Sequence, residues 1–411
     1  MKVAGIIAEY NPMHEGHKYL FSKLRNEFGI DKIIVAMSGS YAQRGIPVCL
    51  DKYLRAEAAL FAGADIVLEL PASVSLGSAE LFATGAVKLL DSTGVVNYLA
   101  FGSESGNTGK LSEAATLLLN EDKDFKSNLS TLLSSGFSYP LAIEKALEAA
   151  DSELSALLKS PNNTLAIEYI KALKRTESKT IPLTIKRNGA DFNSISFDAL
   201  RDIYPSATYL RECLKNENRN EFWSDISADM KKVLNKFGFT SSTVPFITAN
   251  DFTLPLISKL AVSDFNELLS IADCNKDFLN RLLKCYSGAS FDELADKMHT
   301  KQLTRSRVQR ALFHILLDIK DSDMEHIKND KPDYIHVLGI RKESSGLLKE
   351  IVKASEVPVI CRYRDYEKAD ESVKMGFNKD LKAYELYRQI FLNKYSEGYI
   401  IPRDFEGIVV V

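Results

Sequence analysis

Val3-Ala4-Gly5-Ile6-Ile7-Ala8-Glu9-Tyr10-Asn11-Pro12-Met13-His14-Glu15-Gly16-His17 is the stretch on which the fold turns. Val3–Ala8 is a short apolar run with β-branched residues, which suits a strand buried in a parallel sheet. A polar turn, Glu9–Glu15, follows it. From Gly16 to Phe28 the apolar residues Tyr19, Leu20, Leu24 and Phe28 fall at helical spacing. Outward from this unit the alternation continues. Lys32–Met37 and Asp65–Leu70 read as further strands, the latter ended by Pro71, with a helix over Lys52–Phe61 between them. Ser78–Leu90 reads as a helix and Tyr98–Phe101 as a strand stopped at Gly102. Strands alternating with helices predict an α/β fold, a Rossmann-like doubly wound parallel sheet.

Leu111–Lys159 is helical in pattern and carries no chemical motif, so it reads as an insertion at about residues 110–160. Pro161-Asn162-Asn163-Thr164 opens a helix over Leu165–Leu173, with Asn162 as its expected N-cap. Pro182–Arg187 reads as a late strand and Ser206–Leu214 as a short helix. The polar run Lys215–Glu221 places the end of a catalytic domain, 1–216, near Asn216. Residues 217–330 read as a helical region. Residues 331–411 read as a small α/β unit, with strands Asp333–Ile340 and Val357–Tyr363 around a helix Ser345–Ala354, then a helix Leu381–Lys394.

A formal net charge of −3 excludes a protein that binds nucleic acid over its whole surface, so any RNA site must be a local patch. Cys49, Cys213, Cys274, Cys285 and Cys361 are scattered and form no CxxC pair, which argues against a disulfide framework and a structural zinc site. Without a leader-like start or a membrane-length apolar run, a cytoplasmic location is expected.

Ligands of open α/β sheets bind beyond the carboxyl ends of the strands, where Asn11–His17 sits. A helix N-terminus there offers free N–H groups and positive dipole charge to a phosphate. Gly16 allows close backbone approach. His14 and His17 can donate to triphosphate oxygens and stabilise charge that builds as pyrophosphate leaves. A surface loop with incidental histidines is the plainer alternative. Against it, the chain has only 6 histidines, and these two lie at the one turn where the fold expects a ligand. No Cys or carboxylate cluster completes a tetrahedral metal set, so no protein metal site is expected. Ser206-Ala207-Thr208-Tyr209-Leu210-Arg211 is a second phosphate-type element, with hydroxyls at a helix start and a guanidinium one turn on.

These two segments resemble the HxGH and Ser/Thr-basic motifs of the nucleotidyltransferase superfamily. Met37-Ser38-Gly39-Ser40-Tyr41-Ala42-Gln43-Arg44-Gly45, Gly63-Ala64-Asp65-Ile66-Val67-Leu68-Glu69-Leu70-Pro71, Phe101-Gly102-Ser103-Glu104, Pro161-Asn162-Asn163 and Lys186-Arg187 narrow the likeness. Along nearly its whole length the chain resembles the tRNA(Met) cytidine acetate ligase family. The resemblance implies a two-step reaction. Acetate attacks the α-phosphorus of ATP, accompanied by Mg²⁺, and the acetyl-adenylate then acylates N4 of the wobble cytidine of elongator tRNA(Met). It implies catalytic roles for His14, His17 and Arg211. It implies an ATP site of Ile7, Ala8, Glu9, Asn11, Pro12, Gly16, Leu20, Gly102, Asn162, Arg187, Ser206 and Thr208. Gly102 would leave room for base or ribose. The chain departs from the family's Asn-Pro-Phe-His-Asn-Gly-His at Met13 and Glu15, and Glu15 is expected to point away from the phosphates.

The RNA patch is sought in Asp296–Arg310, where Lys297, Lys301, Arg305, Arg307 and Arg310 outweigh Asp296. Arg307, Arg310 and His314 share a helix face, and Arg341, Lys342, Arg362 and Arg364 could extend the surface. Asp51, Lys52 and Arg55 either order the active-site rim or touch tRNA. Tyr41 and Phe101 are candidates for base stacking or for the core. Lys23 reads as a solvated helix lysine. Two other functions use part of the same pattern. One is an adenylyltransferase joining AMP to a phosphorylated small molecule, which would need no large helical appendage. The other is a non-catalytic RNA-binding or ribosome-assembly factor, against which the intact motif residues speak. The sequence implies no protein partner.

Overall fold

A computed structural model describes residues 1–120, 122–187, 204–395, 401–404 and 408–411. The strands are β1 (Val3–Ala8), β2 (Lys32–Ser38), β3 (Tyr41–Ala42), β4 (Ile46–Pro47), β5 (Ile66–Leu70), β6 (Tyr98–Ser103), β7 (Ile181–Lys186), β8 (Ile335–Ile340), β9 (Val359–Ile360) and β10 (Val409–Val410). The main sheet runs β10-β8-β5-β2-β1-β6-β7, with β9 beside β8. Its pairings are parallel except β5 with β8, which is antiparallel. Ile33, Ile34, Val35, Ala36 and Met37 of β2 are all fully buried, as a central parallel strand with helices on both faces requires. The order reverses between β1 and β6, and the crevice at that reversal is where a doubly wound sheet holds a nucleotide.

The alternation read from the sequence is present, with helices Glu15–Phe28, Lys52–Ala62 and Ala79–Asp91 between the early strands. The expected insertion is four helices between Thr108 and Leu158. Several expectations change. The C-terminal segment is not a separate α/β unit: β8 joins the catalytic sheet against β5, Ile66 opposite Ile340. β6 runs through Gly102 to Ser103. The Val357–Tyr363 strand shrinks to Val359–Ile360, because Asp365 accepts from the N–H groups of Cys361 and Arg362 and turns the chain into a short helix. The last long helix starts at Glu371 rather than Leu381. Ser160, and not Asn162, is the N-cap of the Pro161–Arg175 helix.

No helix among the described residues is long and apolar enough to cross a membrane.

Candidate active site

A cavity of about 440 Å³ opens beyond the carboxyl ends of β1 and β6. Of the residues expected to hold nucleotide or act on it, all line this cavity except Pro12. They arrive from five directions: the turn after β1, Gly102 in β6, Asn162 at a helix start, Arg187 after β7, and the Ser206–Arg211 helix start.

The histidine turn is held from its own backbone. The N–H of His14 donates to Nδ1 of His17 at 3.2 Å, which leaves the proton of a neutral His17 on Nε2, as a donor. The two rings stack, centroids 3.8 Å apart. Tyr10, in the left-handed region at φ 47°, sets its ring edge-on to His17 at 4.8 Å. Burial lowers the pKa of His17 to about 3, helped by Arg187. Burial likewise pulls His14 well below the ordinary range, with His17, Arg187 and Arg211 adding to it. Both imidazoles are therefore neutral. Among the described residues Nδ1 of His14 and Nδ2 of Asn11 are buried without a hydrogen-bond partner, and both residues line the cavity.

Gly16 has a different reason from the one its position suggested. A Cβ there would lie 3.0 Å from the His14 ring, so its missing side chain makes room for that imidazole. Likewise a Cβ at Gly102 would lie 3.1 Å from Cγ of Arg187, so the space it leaves is taken by the arginine stem. Glu15 points away from the cavity, accepting from the N–H of Ala228 at 2.8 Å.

Ser206 caps its helix through the N–H of Tyr209 at 3.0 Å. Arg211 donates to the carbonyl of Asn11 at 2.7 Å and to Oγ1 of Thr208 at 3.1 Å, so it ties the second motif to the first. Asn11 in turn accepts from the N–H of Cys49 at 2.8 Å. Glu104 accepts from Nδ2 of Asn162 at 2.6 Å and from the N–H of Asn163 at 2.8 Å.

Sequence reasoning missed the tip of the β3–β4 hairpin. Gln43, Arg44 and Ile46 line the cavity, as do Lys159, Tyr169 and Lys186. Met37–Gly45 carries part of the family resemblance, but nothing in its sequence tells which side chains face inward. Asp51, Lys52 and Arg55 are fully buried, which removes them from any RNA surface. Arg55 orders the rim, donating to the carbonyls of Glu9 (2.6 Å), Ser38 (2.9 Å) and Leu50 (3.0 Å) and to that of Gly39. Tyr41 is core, its hydroxyl on the carbonyl of Ala383. Phe101 packs on Tyr169 at the cavity wall. Lys23 pairs with Glu27 on its own helix.

The basic helix also changes character. Arg310 is only 9% exposed and His314 1%, so the shared face with Arg307 is an inward face. His314 bridges the carbonyls of Ala272 and Leu76, and Arg307 and Arg310 face Asp273. Arg305 is paired with Asp292 and Asp296. Lys297, Lys301 and the outer part of Arg307 remain at the surface.

A reversed parallel sheet with a histidine turn beyond its first strand, joined to a hydroxyl-rich helix start by one arginine, defines a nucleotidyltransferase of the HIGH type. The HIGH Nucleotidyl Transferase family model matches residues 1–399. The tRNA(Met) cytidine acetate ligase of Acetivibrio thermocellus is 34% identical over 96% of both chains, and that of Caldanaerobacter subterraneus subsp. tengcongensis 37% identical over 96% of both. Thermotoga maritima TmcAL superposes over 100% of both chains at 28% identity, with a TM-score of 0.91 for its apo form and 0.88 for its complex with alpha-thio ATP. The chain belongs to the tRNA(Met) cytidine acetate ligase family.

Proposed function

We propose that this protein activates acetate with ATP and transfers the acetyl group to N4 of the wobble cytidine of elongator tRNA(Met). In the first step an acetate oxygen attacks the α-phosphorus, the bond to the β-phosphate oxygen breaks, and pyrophosphate leaves. In the second, N4 attacks the acetyl carbonyl, the bond to the adenylate oxygen breaks, AMP leaves and N4 loses a proton. The observation that carries the reading is the neutral His14–His17 pair at a helix N-terminus beyond β1, with a relative of the same fold that binds an ATP analogue. Neutral imidazoles donate to phosphate oxygens, and Arg187 and Arg211 offset the charge that builds on the leaving pyrophosphate. Mg²⁺ comes with the triphosphate as part of the substrate. Glu9 is the one carboxylate among the described lining residues, too few for a protein metal cage. The activity belongs to the cytoplasm, where tRNA is.

The test is nucleoside analysis of tRNA incubated with the protein, ATP and labelled acetate. Label in N4-acetylcytidine of elongator tRNA(Met) supports the reading. ATP consumption that depends on a phosphorylated small molecule and not on acetate replaces it with the adenylyltransferase alternative.

A further inference from the structure

The histidine turn carries two pairs of side chains that face opposite ways. His14 and His17 line the cavity, whereas Glu15 and Lys18, each the next residue along, lie outside its lining. Both members of the outer pair reach the start of a second helix, Ala228–Lys236. Oε1 of Glu15 accepts from the N–H of Ala228 at 2.8 Å, and Nζ of Lys18 lies 2.8 Å from Oδ2 of Asp229. Ala228 is the first residue of its helix, where the N–H has no partner within the helix, and Glu15 supplies one from outside. Glu15 also opens its own helix, so one carboxylate faces two helix N-termini, both with positive dipole charge.

The Ala228–Lys236 helix is a firm anchor for this contact. Ser227 caps it through the N–H of Met230 at 3.2 Å, and Met230, Val233 and Leu234 are fully buried. Its far end grips the Lys52–Ala62 helix. Nζ of Lys236 lies 2.6 Å from Oε1 of Glu57, and Nζ of Lys232 lies 3.6 Å from the centre of the Phe61 ring. The Lys52–Ala62 helix in turn carries Arg55, which holds the carbonyl of Glu9 at 2.6 Å. The segment from Glu9 to Lys18 is thus tied to one frame at both ends. Glu15 stands between the two histidines, and the bond from the His14 N–H to Nδ1 of His17 makes the pair move as a unit.

We propose that Glu15 is a positioning residue for the reaction: with Lys18 it fastens the outer face of the histidine turn to the Ala228–Lys236 helix, and so sets the depth and rotation at which His14 and His17 meet the phosphates. The proposal rests on the reading above, in which the histidines act during adenylation. A helix start that shifts or rotates carries both imidazoles with it. The cost falls on the transition state, where the aim of each donor counts most, rather than on ATP binding, which other parts of the cavity share.

The experiment is acetate-dependent exchange of labelled pyrophosphate into ATP by the full-length protein, with ATP and acetate varied in turn. Glu15→Ala is expected to lower kcat about 10- to 100-fold, as a small misplacement of a catalytic group does, and to move KM for ATP far less. Glu15→Gln keeps an acceptor oxygen for Ala228 and should recover most of the rate. The same bond can be cut from its other side. Ala228→Pro removes the N–H at an exposed first helical position, after an extended Ser227 at ψ 149°, where proline is well tolerated. It should lower kcat as Glu15→Ala does, and the double variant should be no slower than either single one. Thermal melting checks that each variant is folded, and Ala228→Pro stands should Glu15→Ala not fold. A wild-type kcat in folded Glu15→Ala or Ala228→Pro overturns the proposal. So do losses that multiply in the double variant, which would mean that the two residues act separately. A wild-type protein with no acetate-dependent exchange would instead overturn the reading beneath it.

Discussion

The imidazole of His14 lies on that of His17, ring centroids 3.8 Å apart and planes 29° from parallel. Two charged rings could not sit so, and the His14 N–H bond to Nδ1 of His17 leaves Nε2–H as the donor His17 offers a ligand. His17→Ala removes that donor. It is expected to lower the rate of acetyl-adenylate formation by about 10²–10³, the usual effect of losing one such group, while tRNA binding measured by gel shift stays near wild type. Acetyl-adenylate formation at the wild-type rate would take His17 out of the chemistry.

Protons should follow ATP into the site. Folding lowers the pKa of His17 from 6.5 to about 3, so the neutral form's contribution to stability is complete above pH 6.5 and is lost as pH falls toward 3. Triphosphate beside the ring favours the charged form and raises that pKa again. ATP binding near about pH 6 is therefore expected to take up protons through the histidines, over and above ATP's own ionisation. Titration calorimetry in two buffers of different ionisation enthalpy reads this directly, and His17→Gln should shrink the difference between them. Equal proton uptake in the variant and the wild type would place the phosphates away from His17.

Gly45 and Arg310 separate packing from RNA contact. The left-handed backbone at Gly45 and its contact with Arg310 leave no room for a methyl group. Gly45→Ala is expected to cost about 1–3 kcal/mol in urea unfolding. Arg310→Ala, at a nearly buried position facing Asp273, should destabilise as well. Arg307→Ala, with its side chain 47% exposed, should change stability by no more than about 0.5 kcal/mol. Arg307, Lys301 and Lys297, exposed at the surface, are then the probes of tRNA affinity. If their removal leaves the salt dependence of tRNA binding unchanged, the RNA surface lies elsewhere.

The fold was legible where hydrophobic period and turn chemistry agree. Val3–Ala8 and Ile33–Met37 are uninterrupted apolar runs, and Pro71 and Gly63 punctuate the third unit. The sheet's C-terminal extension was not legible, because β8 differs little in pattern from a strand of a separate unit. Only the Ile66–Ile340 pairing reveals its place. The motif residues of the site could be named because they sit at a strand end and two helix starts. Arg44 could not be placed, since its inward aim is set by Glu9, Gly77 and Arg310, remote in sequence from it. For the same reason the sequence left Arg55 open to a tRNA contact and put Arg310 in the RNA patch: a charged residue's burial depends on partners that periodicity does not show.

Lys52 tests how such buried charge is held. Its ammonium lies 2.8 and 3.0 Å from the oxygens of Glu69, 2.7 Å from Asp404, and 3.9 Å over the ring of Tyr384. His336 adds a contact to Glu69 at 2.7 Å. The ammonium occupies the centre that Glu69, His336 and Asp404 would otherwise offer to a cation. Lys52→Met leaves two buried carboxylates uncompensated and is expected to cost about 3–5 kcal/mol. Folding lowers the pKa of Glu69 from 4.5 to about 2, so its contribution is complete above pH 4.5 and is lost as pH falls toward 2. Acid unfolding of Lys52→Met should start at higher pH than in the wild type. Coincident acid transitions would show that the pair contributes nothing.

Glu104 provides the last test, because it acts on the cavity only through another residue. Its Oε1 accepts from the side-chain amide of Asn162 at 2.6 Å and from the Asn162 N–H at 3.3 Å, and its Oε2 from the N–H of Asn163 at 2.8 Å. With the NH₂ group engaged, Asn162 has its amide oxygen as a free acceptor in the cavity wall, suited to a ribose hydroxyl or the adenine amine. Glu104→Ala frees the amide to rotate and removes a carboxylate from a helix N-terminus. The expected result is a KM for ATP raised about 10-fold, the effect of one misplaced hydrogen bond, with kcat changed much less. Glu104→Gln keeps one acceptor oxygen and should recover most of the affinity. A purely structural role would instead lower the melting temperature and leave KM for ATP unchanged in the folded fraction. A folded Glu104→Ala variant with wild-type KM would mean that ATP does not depend on Asn162.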